Sequence, residues 1–303
     1  MSGPIAVAAP VAEALAQRRP VVALETTLIT HGLPHPEGLG IALELEREIA
    51  AAGAQPATIG VLEGSVRVGL TRDQLERLAT AERPAKLNAS NLAAGVTSGR
   101  PGSTTVAATI RVAVACGIET FATGGIGGVH RDAAATGDVS GDLIALARCK
   151  VAVVCAGAKA VLDLSRTVEM LETLGVPVLG FGTERFPAFY RRDSGLPVDA
   201  SLDSPAALAR AVRAHWSFPG ATGVVVANPI PPEHEMPEHL YRSALDRALA
   251  EAVAAGVRGR AVTPFLLERL RELTEGKSVF SNLALLRHNA VVAAGLARAL
   301  RDV

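Results

Sequence analysis

Lys159 stands at the end of an apolar run, Val151 to Ala158, just where a strand should give way to a helix. Apolar walls favour the neutral form of an amine, and a neutral amine is a nucleophile toward aldehydes and sugar carbons. The bland alternative is a lysine that snorkels into water from a helix N-terminus, where the helix dipole opposes its charge. Glu25 closes an earlier apolar run, in Leu24-Glu25-Thr26-Thr27-Leu28, before a Gly/Pro/His loop that lasts to Gly38. A carboxyl at the carboxyl end of a strand, beside two hydroxyls, can hold or move a proton; it can equally cap a neighbouring helix.

Further polar clusters stand at other strand ends. Gly124-Gly125-Ile126-Gly127-Gly128 leads into Val129-His130-Arg131. Glycines let backbone N–H groups approach an oxyanion, and His130 and Arg131 add donors. The spacing fits neither the dinucleotide fingerprint nor the P-loop, so neither NAD nor ATP is expected. Asp138-Val139-Ser140-Gly141-Asp142 sets two carboxylates around a serine, which suits a hard divalent cation that keeps its waters. Spacing alone favours a second use of the same residues, the N-cap of a helix through Leu143 to Arg148. Lys86 follows Pro84-Ala85 and precedes Asn88-Ala89-Ser90-Asn91; Asn228-Pro229-Ile230-Pro231 ends another strand; Ser281-Asn282 reads as the opening of the last helix.

The elements that must position these groups alternate along the chain. Strands are predicted at 21–24, 57–62, through 68, 120–122, 151–155, 177–180 and 223–227. Helices are predicted at 38–52, 71–79, 104–116, 142–148, 160–174 and 205–214, with three more from Pro237 onward. Thr71 is the expected N-cap of its helix, and Glu63-Gly64-Ser65 reads as a hairpin turn. This rhythm predicts one α/β domain over residues 1–303, a three-layer α/β/α sandwich around a mostly parallel, mixed sheet.

Composition agrees. Half of the 303 residues are apolar (49%) but only 3% are aromatic, so Ala, Val, Leu and Ile must build the core. Thirty acidic residues balance thirty basic ones, which leaves no electrostatic footprint for nucleic acid or membrane. Cys116, Cys149 and Cys155 lack metal-ligand spacing and read as reduced thiols. Arg18 and Arg19 follow the first apolar stretch rather than precede it, unlike a secretory signal, and charges or prolines interrupt every apolar run. A cytoplasmic protein is the expectation.

Read together, Leu24 to Thr27 with His31-Gly32 and Pro34, Thr123 to Arg131, Asp138 to Asp142, Cys155 to Lys159, Asn228 to Pro231, Thr263 to Leu267, Gly276 to Ser278 and Ser281-Asn282 resemble the pseudouridine-5′-phosphate glycosidase family, also called indigoidine synthase A-like. The resemblance runs from about Val21 to Ala297. It implies reversible cleavage of the C–C glycosidic bond of pseudouridine 5′-phosphate to uracil and ribose 5-phosphate. It also implies a divalent cation, Mn2+ or another such as Mg2+, and a homotrimer. By the same resemblance Lys159 is the nucleophile that holds the ring-opened ribose covalently, Glu25 the proton donor and Asp138 the metal ligand. Lys86, Val106, Ser140, Gly141 and Asp142 are implied substrate contacts, and Asn282 faces the base. Gly125, His130 and Arg131 are expected beside the phosphate.

The sequence departs from the family at one place. Relatives usually carry a Ser/Arg/Arg/Asp-type run after the lysine equivalent to Lys86, where this chain has Leu87-Asn88-Ala89-Ser90-Asn91-Leu92. That departure keeps a second reading open, a C-glycosynthase that joins ribose 5-phosphate to another heteroaromatic acceptor. A third reading, a catalytically silent sugar-phosphate-binding protein, is opposed by the retention of Lys159, Glu25 and Asp138.

Overall fold

The computed structural model describes residues 4–32, 35–257 and 262–303. Pro34 and the side chain of Thr263, both in the motifs above, lie outside the described residues. In chain order the strands are β1 (Ile5–Val7), β2 (Val21–Leu24), β3 (Gln55–Leu62), β4 (Ser65–Val68), β5 (Ala85–Leu87), β6 (Gly102–Thr104), β7 (Thr120–Ala122), β8 (Ala152–Cys155), β9 (Val178–Phe181), β10 (Ala200–Leu202) and β11 (Val224–Ala227). The helices are α1 (Ala9–Ala16), α2 (Glu37–Ala51), α3 (Arg72–Ala79), α4 (Leu92–Thr97), α5 (Val106–Ala115), α6 (Ala133–Thr136), α7 (Gly141–Arg148), α8 (Leu164–Thr173), α9 (Pro205–Ser217), α10 (Glu238–Ala254), α11 (Val262–Leu273) and α12 (Lys277–Ala299).

The strands form one 11-stranded sheet in the order β1-β4-β3-β2-β7-β8-β11-β9-β10, with β6 on β3 and β5 on β6. Its centre is parallel from β3 through β10, while β4 and β6 run antiparallel to β3. The sheet is therefore mixed, and the β3–β4 hairpin turns at Glu63-Gly64. Strands β2, β8 and β11 are buried at every position, as parallel strands covered on both faces must be. Helix α12 packs on β2, β7 and β8 and against α2 and α9; α5 and α7 pack on each other and α5 on β2. The result is the three-layer α/β/α arrangement.

Local chemistry sets most boundaries. Thr71 caps α3 in a reciprocal capping box with Gln74. The helix expected from Ala160 starts instead at Leu164, because Asp163 accepts a hydrogen bond from the Arg166 N–H at 3.0 Å and defines the cap there. Helix α5 starts at Val106 rather than Thr104, since 102–104 pair as β6. Helix α12 opens at Lys277 after Gly276, whose φ of 81° only glycine adopts freely, so Asn282 lies inside the helix and not at its cap. At 23 residues, α12 is long and apolar enough to match a membrane span by length and composition, which the reading of interrupted runs did not anticipate. Its buried face instead covers the centre of the sheet.

Candidate active site

Three parallel strands, β2, β7 and β8, end side by side, and the residues just past their carboxyl ends line one pocket: Glu25, Thr123 to Gly125, and Lys159. Lys86 enters from β5, and Asn282 and Leu286 from α12. Ligands collect at such strand ends because the loops there are free to vary above a rigid sheet.

Glu25 is fixed by hydroxyls on both oxygens. Thr123 Oγ1 donates to Oε1 at 2.5 Å, and Thr27 Oγ1 donates to Oε2. Behind Thr123 runs a buried amide chain: Asn289 Nδ2 donates to the Thr123 carbonyl at 2.8 Å, and Asn228 Nδ2 donates to Asn289 Oδ1 at 2.9 Å. Lys159 is held through its backbone, its N–H donating to the Ile126 carbonyl at 3.0 Å. Gly157, with φ of 78°, makes the turn that delivers it; a Cβ there would strike the Pro187 carbonyl. No helix begins at Lys159, so the dipole penalty expected for it does not arise.

Charge is concentrated in this pocket. Burial pulls the Lys86 ammonium below the ordinary lysine range, and the charge of Lys159 adds to the shift while Glu25 and Asp142 oppose it. His31, in the π-helical turn Leu28–Gly32, is pulled below the ordinary imidazole value by burial and then by Lys86. In the sequence His31 is visible only as part of a motif, and nothing local marks Thr123 and Asn289 as supports of Glu25. The one available signal was that His31-Gly32 closely follows a strand-end carboxyl.

The other expected residues are placed behind or beside the pocket. Part of the glycine loop's backbone is committed to the protein: Ile126 donates to the Gly157 carbonyl, Gly127 to Asp142 Oδ2, Val129 to Thr167 Oγ1 and His130 to the Asp138 carbonyl. Its glycines serve close packing, since a Cβ on Gly125 would lie 2.7 Å from the Phe189 ring and one on Gly128 would run into Thr167. Gly125 itself lines the pocket, whereas Arg131 lines a different groove with Arg191 and Tyr241. Ser140 caps α7 by accepting from the Asp142 N–H at 3.2 Å. Asp142 is buried and braces two backbones, accepting from Ala107 N–H at 2.8 Å and Gly127 N–H at 2.7 Å. Val106 is buried too, but its N–H opens the first turn of α5, where no intrahelical acceptor exists.

Asp138 is the better placed of the two aspartates for a cation. Its side chain is 34% exposed, and its nearest ionic neighbour is His130 Nδ1 at 3.9 Å. No group of three or more His, Cys, Asp and Glu that could hold a metal occurs among the described residues. A single carboxylate of this kind suits only an ion that keeps most of its waters, and does not make an all-protein cage.

The segment after Lys86 is self-contained. Asn88 Oδ1 accepts from Ser90 N–H at 2.8 Å and Asn91 N–H at 3.2 Å, and Asn91 Oδ1 accepts from Asn88 N–H at 2.7 Å. Asn88, Ala89 and Ser90 line a separate groove with Arg111 and Arg148, so Lys86 alone of this segment reaches the catalytic pocket.

The chain matches the family model of indigoidine synthase A like protein over residues 10–299. It is 51% identical over 291 residues to the pseudouridine-5′-phosphate glycosidase of Solibacter usitatus, covering 96% of this chain and 97% of that one. It is 52% identical over 287 residues to the pseudouridine-5′-phosphate glycosidase of Herpetosiphon aurantiacus, covering 95% of each. Among solved structures, the prealnumycin C-glycosynthase AlnA in complex with ribulose 5-phosphate superposes with a TM-score of 0.92 at 38% identity, covering 100% of this chain and 98% of that one. An indigoidine synthase A-like protein from Thermotoga maritima superposes with a TM-score of 0.87 at 35% identity, over 94% of each chain. At half identity over nearly the full length of both partners, the chain belongs to the pseudouridine-5′-phosphate glycosidase (indigoidine synthase A-like) family of enzymes.

Proposed function

We propose that this enzyme cleaves pseudouridine 5′-phosphate reversibly to uracil and ribose 5-phosphate through a covalent adduct on Lys159. The observation that carries the reading is that Lys159 and Glu25 face one pocket, with Lys86 lining it beside them. A C–C glycosidic bond cannot be broken by protonating a leaving oxygen, as in an ordinary glycosidase. It needs an electron sink at C1′, which an amine provides. Unprotonated Lys159 Nζ adds to C1′ of the opened sugar. Its lone pair then expels C5 of the uracil as an iminium forms, and Glu25 delivers the proton that C5 takes up. The resulting Glu25 carboxylate accepts a proton from the water that adds to the iminium, and ribose 5-phosphate leaves as the amine is restored.

The remaining residues bind and orient. Lys86 supplies a cation to the sugar phosphate, the Val106 N–H at the start of α5 supplies a donor, and Asn282 supplies an amide to the base. Asp138 would hold the divalent cation, Mn2+ or Mg2+, which neutralises phosphate charge when bound. The homotrimer stays part of this proposal, with a solution mass three times that of the chain as its check.

The test is intact-protein mass spectrometry after a borohydride quench with ribose 5-phosphate and manganese. A pentose-phosphate increment in the wild type that is absent in Lys159→Ala supports the reading. No increment, with pseudouridine 5′-phosphate also inert, sinks it. The likeness to AlnA favours a second reading, the same chemistry run toward synthesis on another acceptor. Indifference to uracil, with turnover of a different acceptor, would select it.

A further inference from the structure

His31 lines the catalytic pocket and also an adjoining cavity, and Gly32, Pro264, Leu267 and Asn282 line both as well. It therefore stands at the Asn282 end of the pocket. Its ring is oriented by two hydroxyls in series. Thr30 Oγ1 donates to Ser103 Oγ at 2.7 Å, so its one proton is committed there. The His31 Nδ1 that lies 2.5 Å from Thr30 Oγ1 must then be the donor of that contact. With Thr30 donating to Ser103, the tautomer that completes the contact carries its proton on Nδ1 and leaves the lone pair on Nε2. Burial and the neighbouring Lys86 charge both keep this ring neutral.

We propose that His31 Nε2 borrows the N1 proton of the pyrimidine and thereby opens the furanose; the inference rests on the glycosidase reading above. In a C-nucleotide N1 bears hydrogen, and its lone pair is conjugated through C6 and C5 to C1′. Loss of the N1 proton to Nε2 forms N1=C6, shifts the C5=C6 pair into C5=C1′, and breaks C1′–O4′ with its electrons on O4′. Neutral Lys159 Nζ adds to C1′, the pair returns toward N1, and His31 gives back its proton. The proton released by the adding amine passes to O4′, which becomes the 4′-hydroxyl. No proton or electron is left over, and His31 ends as it began. An ordinary role for His31, bracing the turn after Glu25, would involve none of this.

The experiment compares wild type, His31→Gln and His31→Phe in two assays: uracil release from pseudouridine 5′-phosphate, and the borohydride-trapped adduct with ribose 5-phosphate. The second assay starts from a sugar that opens without the pyrimidine. The proposal expects kcat for uracil release to fall about a hundredfold or more in both variants, the usual range for losing a general base, with KM little changed. It also expects the trapped adduct to persist, and N1-methylpseudouridine 5′-phosphate to be inert with wild type. The acid limb of the wild-type kcat/KM profile should change in His31→Gln, with Lys86, Lys159 and Glu25 facing the ring from the pocket and Glu268 and Arg271 from the adjoining cavity. Wild-type rates in His31→Gln, or turnover of the N1-methyl substrate, overturn the proposal while the glycosidase reading stands. Loss of the adduct together with cleavage reduces His31 to a structural support and also overturns it. No adduct and no uracil even in wild type removes both.

Discussion

Thr123 Oγ1 donates to Glu25 Oε1 at 2.5 Å, while the carbonyl of the same threonine is gripped by Asn289. One residue thus ties the proposed acid to the core. Thr123→Val keeps the shape and removes the donor. The expected result is a fall in kcat of roughly tenfold to a hundredfold with KM nearly constant, since the loss falls on orientation of the proton donor. Stability should drop by only about 1 kcal/mol, the usual net worth of one such bond. Thermal melts beside uracil-release kinetics check both halves.

The turn after Lys86, where a departure from the family pattern was expected to bear on substrate choice, sits away from the pocket. Asn88→Ala removes the acceptor for two N–H groups and should lower stability by about 1 kcal/mol. Preference for uracil over other acceptors should not move. An altered acceptor profile in this variant would show that the segment reaches the substrate after all.

Two glycines near the site predict opposite outcomes. Gly157→Ala forces a side chain onto a φ of 78° and into the Pro187 carbonyl, so a loss of about 2 kcal/mol or more, with Lys159 displaced, is expected. Gly141 opens α7 with nothing within 4 Å of an added Cβ, and Gly141→Ala should raise stability by about 0.5–1 kcal/mol. Chemical denaturation of both variants checks the contrast, and an unchanged KM for Gly141→Ala would argue against a close substrate contact there.

Glu46 on α2 is half-buried, and burial raises its carboxyl above the ordinary glutamate value despite the hydrogen bond that Thr58 Oγ1 donates at 2.5 Å. A raised folded-state value means that stability from the neutral form is full below the ordinary glutamate value. It is lost as pH climbs through the raised one. Glu46→Gln keeps an acceptor for Thr58 without the charge. Its melting temperature should exceed that of wild type by on the order of a few degrees at neutral pH, with the gap closing in acid. A constant gap across pH would mean that Glu46 titrates normally.

The strand-end groups were legible because a parallel strand reads as an unbroken apolar run, and a Glu or Lys that ends one is conspicuous. Glu25 and Lys159 line one pocket, each just past the end of such a run. What supports them was not legible. Asn289 lies inside a helix, and its partners are 61 and 166 residues away in the chain, a separation that no local pattern encodes. The start of α8 lies four residues past the expected Ala160, because the side chain of Asp163 caps the first turn and decides where the helix begins. The glycine loop suggested anion binding, yet the N–H groups of Ile126, Gly127, Val129 and His130 face protein acceptors, and sequence cannot say which way an N–H points.

Asn282 and Asn289 occupy one rigid rod two turns apart, about 10 Å along the axis of α12 and on nearly the same side of it. The first lines the pocket that holds Lys159 and Glu25, and the second anchors the support of Glu25. Any shift or rotation of that rod moves both at once. On the proposed mechanism, aglycone choice and proton delivery are therefore mechanically yoked, and a change that retunes one through this helix must re-align the other.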